Sequence, residues 1–175
     1  MSALQEKFDK LIAEQEALRA QFQATAQELF KETTKEFFDG NPGVNAIVWT
    51  QYSPFFNDGD ECVFSVNDAS FTNAVGEQLD YVHYGEYDVS KDEIDEIGDA
   101  WVAESWGLTT TSDWGKEILD KIKASGSEID IDSCISFSKM IQSRAMEDVM
   151  EAMFGNHVRI VATREGFDVQ DFDHD

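Results

Sequence analysis

Positive charge is what this chain most lacks. Thirteen Lys and Arg stand against thirty-six Asp and Glu, a formal net charge of −23 over 175 residues. Between Asn41 and Gly115, fifteen acids face one cation, Lys91. Nucleic-acid phosphates and anionic lipid are bound through basic faces, so direct binding to either is disfavoured and basic partners are favoured. Cysteine is almost as scarce. Cys62 and Cys134 stand in dissimilar contexts, each within an apolar pattern, which reads as two buried free thiols rather than a disulfide. The three His have no zinc-ligand spacing to those cysteines. No apolar run approaches the length of a membrane span, and MSALQEKFDK is amphipathic rather than signal-like, so a soluble, cytoplasmic protein is expected. G-x-S-x-G, the P-loop and G-x-G-x-x-G are all missing, so no catalytic residue is nominated and no cofactor is expected.

What is present is a core and a seam. The apolar fraction is 42%, with thirteen Phe and four Trp, far above that of a disordered acidic tail. From about Ala3 to Phe38, Leu4, Phe8, Leu11, Gln15, Leu18, Phe22, Thr25 and Leu29 follow an unbroken 4-3 spacing. This predicts a long amphipathic helix with a coiled-coil stripe, interrupted by Gln15 and Thr25 and stopped by Gly40 and Pro42. Such a helix outreaches a small domain, so Leu4, Phe8, Leu11, Leu18, Phe22 and Leu29 are expected to join two copies, a dimer being simplest. Residues 1–40 hold eight acids and five bases, whereas 41–175 hold twenty-eight and eight, which places a boundary between an oligomerisation element and an acidic globular domain.

After Pro42 the period changes to two. Val44–Tyr52 and Cys62–Asn67 are expected to pair as a hairpin, with Leu79–Val89 as a third extended stretch. Ser90 to Glu93 matches a capping box, followed by an apolar face of Ile94, Ile97 and Trp101. Asp113–Ala124, with Trp114, Ile118 and Ile122 inward, and Asp132–Phe154 read as further helices. His157–Thr163 reads as a strand, and Phe167–Phe172 as an edge strand. The fold class is α+β: a small antiparallel sheet of four or five strands packed by helices, with a long N-terminal helix.

The acids invite a test for metal. Asp58, Asp60 and Glu61 surround Gly59 but lack the spaced ligands and distal Glu of an EF-hand, so no metal site is assigned. Two surfaces remain as partner-binding candidates. One is the acidic stretch with Asp92, Asp95, Glu96 and Asp99. The other is the aromatic hairpin with Tyr52, Phe55 and Phe56, next to Asp58 and Asp60.

The segment from Trp49 to Val66 carries W-T-Q-Y, then F-N-D-G-D-x-C-x-F. It resembles a stretch found in uncharacterised bacterial and bacteriophage proteins of similar size, over roughly 20 residues. The resemblance implies a phage or prophage source, hence the cytoplasm of a bacterial host cell, and transfers no activity. The resulting expectation is a non-enzymatic acidic protein that inhibits or sequesters a basic partner, either nucleic-acid-binding or host-defence, in the manner of a DNA mimic. The alternatives are an accessory protein binding a small ligand or host component through the aromatic hairpin, and an enzyme with an unrecognised carboxylate or metal site.

Overall fold

The computed structural model describes residues 3–55, 59, 61–82, 96–109 and 112–173. The architecture is α+β, with a long N-terminal helix and an antiparallel sheet packed against helices. Helix α1 (Ala3–Gly40) leads into strand β1 (Ala46–Tyr52), followed by β2 (Ser65–Val66), β3 (Ser70–Thr72) and a 3₁₀ segment (Gly76–Tyr81). Strand β4 (Val102–Glu104) precedes helices α2 (Ser105–Thr109), α3 (Asp113–Ala124), α4 (Ile131–Ile141) and α5 (Arg144–Phe154). Strands β5 (Val158–Thr163) and β6 (Gly166–Asp171) complete the fold. The sheet has six strands in the order β4-β3-β1-β5-β6, with β2 pairing the far end of β1.

Strand β1 is the sheet's axis. It pairs β3 through Ile47↔Phe71 and β5 through Trp49↔Ile160, and Ala46 to Gln51 are all buried. Burial on both faces explains why its sequence is nearly continuously apolar. One face presents Ile47, Trp49, Phe71, Ala103, Ile160 and Ala162 to the helices. The other carries Ala46, Val48 and Val161 against Ala74, Val82 and Ala100.

Helix α1 enters the first of these cores by its C-terminal half. Phe30, Thr34, Phe37 and Phe38 are buried, while every described residue before Gln23 is exposed. Phe137 of α4 lies at ring-centroid distances of 5.3–6.4 Å from Phe37, Phe30, Phe71 and Trp49. Asn41 terminates the helix. Its amide donates to Phe37 O and to Ser133 Oγ, both at 2.9 Å, and its side-chain carbonyl accepts from the Asp130 amide. One buried side chain thereby closes α1 and ties it to the start of α4.

Several sequence expectations need correction. The six-stranded sheet exceeds the four or five strands expected, because β3 and β4 are three residues long and too short for a periodic signal. Leu79–Val89 is not a strand where it is described, since Gly76–Tyr81 is 3₁₀; residues 83–95, including the capping box at Ser90, lie outside the described residues. Trp101 is buried but does not continue a helix from Ile97: Gly98 turns the chain at φ +61°, and Trp101 leads into β4. The single helix over Asp132–Phe154 is two helices. Ser143 takes extended backbone (φ −68°, ψ 141°) and donates its hydroxyl to Met140 O, breaking the run. Trp114 points outward, stacked on Trp106 at 4.9 Å, and lies over Gly107, where a Cβ would collide with the indole.

The W-T-Q-Y segment contributes a brace. Gln51 is fully buried, and its Nε2 donates to Met150 O at 2.9 Å and Gly155 O at 2.7 Å, closing the end of α5. Removing those donors strips both carbonyls of a side-chain hydrogen bond and breaks the tie between β1 and the end of α5, at about 1–3 kcal/mol for a buried group. Gln51→Ala is expected to lower stability by about 2–3 kcal/mol in urea unfolding. Gln51→Glu, which keeps the shape and loses the donors, should lose at least as much; a neutral result for both would refute the brace.

Candidate partner-binding surfaces

Of the four nominated acids, Glu96 and Asp99 are described and exposed, whereas Asp92 and Asp95 lie outside the described residues. The 3₁₀ segment positions the described pair. Gln78 Nε2 donates to Ile97 O at 3.0 Å, and its Oε1 accepts from the Val75 amide at 3.1 Å. Glu77 and Asp80 on that segment are also exposed, so four carboxylates stand on two turns joined through Gln78. Glu77 escaped the sequence reading because nothing in the pattern marks a 3₁₀ turn folding against Ile97.

Behind this surface lies Arg159. Its strand places it on the face opposite Ile160, where it donates to the carbonyls of Leu79 and Val82 and, at 2.7 Å, to Gln170 Oε1. Burial pulls the guanidinium below its ordinary pKa, while the charges of Asp80 and Asp168 act in the opposite direction. Arg164 is held elsewhere. It donates to the carbonyls of Phe38, Asn41 and Pro42 and lies 5.3 Å from the Phe38 ring centroid. A cation is thereby set at the negative end of α1. Both arginines are therefore committed to backbone carbonyls in separate places, while Arg144 is exposed at the start of α5.

The aromatic hairpin is split by the fold. Tyr52 is half-buried at the end of β1 against Phe172, with ring centroids 5.8 Å apart. Phe55 is 65% exposed and lies flat on His157, at 4.3 Å and an interplanar angle of 3°. Asn156 fixes this corner, accepting from the Ser53 amide at 2.8 Å and donating to Ser53 Oγ at 2.9 Å. His157 itself adopts φ +56°, a conformation costly for a side-chain-bearing residue. Phe56, Asp58 and Asp60 lie outside the described residues.

A depression of about 440 Å³ lies between the turn after Ile97 and Trp114, and one of about 340 Å³ lies between α1 and the β5–β6 turn, lined by Lys31, Lys35, Phe38 and Arg164. Among the described residues, no group of three or more His, Cys, Asp or Glu is arranged to hold a metal ion. No helix among them is long and apolar enough to cross a membrane. Comparison of the chain with protein-family models, with curated proteins and with solved structures finds no match.

The two cysteines differ from the expectation of two buried thiols. Both are free, but Cys62 is exposed because residues 61–64 run outside the sheet, and Cys134 is fully buried on α4. Burial, reinforced by the charge of Asp130, pushes the Cys134 thiol up to about 12. Since the thiolate is the reacting species, an aromatic disulfide reagent at pH 8 should titrate one thiol rapidly in the native protein and the second only on unfolding. Two rapid thiols would contradict the packing of α4.

Proposed function

We propose that the protein is a non-catalytic binding protein whose acidic surface engages and blocks a basic partner, either a nucleic-acid-binding protein or a host-defence component, in a phage or prophage setting. The observation that carries this reading is the disposition of charge. The acids of the 3₁₀ segment and of the turn at Gly98 face solvent, while Arg159 and Arg164 are committed to backbone carbonyls. The ion pairs Lys10–Glu14, Arg19–Asp148, Lys31–Glu28 and Lys116–Asp113 each neutralise a carboxylate locally, but their cations are already counted in the net charge of −23, so the acidic excess stands. Such a field attracts a basic surface and accelerates encounter.

A second reading rests on the exposed Phe55 plate over His157. An aromatic ring held flat by a fixed neighbour is a preorganised contact for a partner or ligand. The two readings separate by substitution.

A variant with Asp92→Asn, Asp95→Asn, Glu96→Gln and Asp99→Asn should keep the wild-type stability within about 0.5 kcal/mol in urea unfolding, because the apolar contacts of Ile97 and Trp101 are untouched. In a pull-down from host lysate, the wild type should retain its partner at low salt and release it near 1 M, where screening falls to about 3 Å. The neutralised variant should lose at least tenfold in affinity. Retention of the same partner by both proteins at both salts would overturn the charge reading. Loss of it in Phe55→Ala alone would install the second.

A further inference from the structure

We propose that a second copy of this chain docks on the N-terminal half of α1, forming a parallel two-stranded coiled coil through the stripe from Leu4 to Leu29. The first ground is that the stripe is uncovered. Leu4, Phe8, Leu11, Leu18, Phe22 and Leu29 each keep 57–67% of their surface exposed, and Ile12 keeps 49%. Phe22 and Leu29 stay open even where the helix runs beside the globular part. The face that docks there, through Ala26, Phe30, Thr34 and Phe37, is rotated from the stripe by roughly a quarter of a turn.

The second ground is size. Seven such side chains expose on the order of 800 Å² per chain, what one partner contributes to an interface of standard area. A twenty-residue helix in water is marginal by itself, so its apolar stripe calls for a partner. The third ground is charge. Residues 1–40 hold eight acids and five bases, so this segment can approach its own copy far more readily than the strongly acidic remainder can.

Orientation follows from the interruptions. In heptad terms Phe8, Gln15, Phe22 and Leu29 occupy a positions, and Leu4, Leu11, Leu18 and Thr25 occupy d positions. In parallel register Gln15 meets Gln15, and Thr25 meets Thr25, so each polar side chain faces a group able to hydrogen-bond with it. An antiparallel overlap of the same stripe would set Gln15 against Leu18 and Phe8 against Thr25, burying an amide without a partner. The quarter-turn offset sends the two acidic globular parts to opposite flanks of the coil, which relieves their repulsion.

The test uses the full-length chain at tens of micromolar in physiological salt. Light scattering should give twice the chain mass. Leu11→Asp combined with Leu18→Asp should give the chain mass, with near-ultraviolet circular dichroism of the globular part unchanged, because neither residue touches the core. A wild-type monomer, a higher oligomer, or a dimer that survives the double change would overturn the proposal. Phe8→Cys in a Cys62→Ser background reads orientation. Rapid disulfide-linked dimer under mild oxidation is expected from parallel strands, whereas a non-crosslinking dimer would overturn the parallel arrangement.

Discussion

The insertion of Phe30, Phe37 and Phe38 into the helix-facing side of the sheet is the contact on which the other parts depend. These side chains are all but fully buried, and Phe30 reaches rings on β1, α4, α5 and β6. Removing a buried Phe from such a cluster costs about 3–5 kcal/mol, a large share of a domain's net stability. Without that anchor, Asn41 has no helix end to close, Arg164 loses the carbonyls it holds, and Phe137 faces a void. The element that appears most detached in the sequence is thus, over its second half, a wall of the core.

The few cations play a corresponding role. In a chain so acidic, a buried guanidinium is stabilised by the field around it, which offsets part of its desolvation. Arg159 joins the 3₁₀ segment to the sheet, and Arg164 joins the β5–β6 turn to the end of α1. Each brings together segments distant in sequence by satisfying carbonyls that no regular hydrogen-bond ladder reaches.

Legibility in the sequence varied with element length. The long helix, β1, β5, β6 and α3 announced themselves because periodicity accumulates over six residues or more. Strands β3 and β4 offer three residues each, and their pairing is long-range, so no local signal could mark them. The break at Ser143 was hidden because Met140, Ile141, Met146 and Val149 keep an apolar pattern across it. The stripe from Leu4 to Leu29 was readable, but the docking face was not: Gln23, Gln27 and Thr34 look like solvent residues. Of the candidate surfaces, Glu96 and Asp99 could be chosen on charge alone, whereas Glu77 and the Phe55–His157 stack depend on tertiary geometry. The burial expected of Cys62 from its apolar neighbours fails because Cys62–Phe64 precede β2 outside any strand, and of the three only Phe64 packs against the core.

Helix α1 contains neither proline nor glycine between Ala3 and Asp39, so the two residues that most often kink a helix are missing from it. Its two faces are consequently locked in phase. Each residue inserted or deleted between Phe22 and Phe30 would swing the free stripe about 100° around the globular part, while a seven-residue insertion would return it to within about 20°. Substitutions on the exposed flanks leave that angle untouched. The length of this rod is therefore a more stringent constraint than the identity of most of its residues, and natural variation in it should arrive in multiples of a heptad.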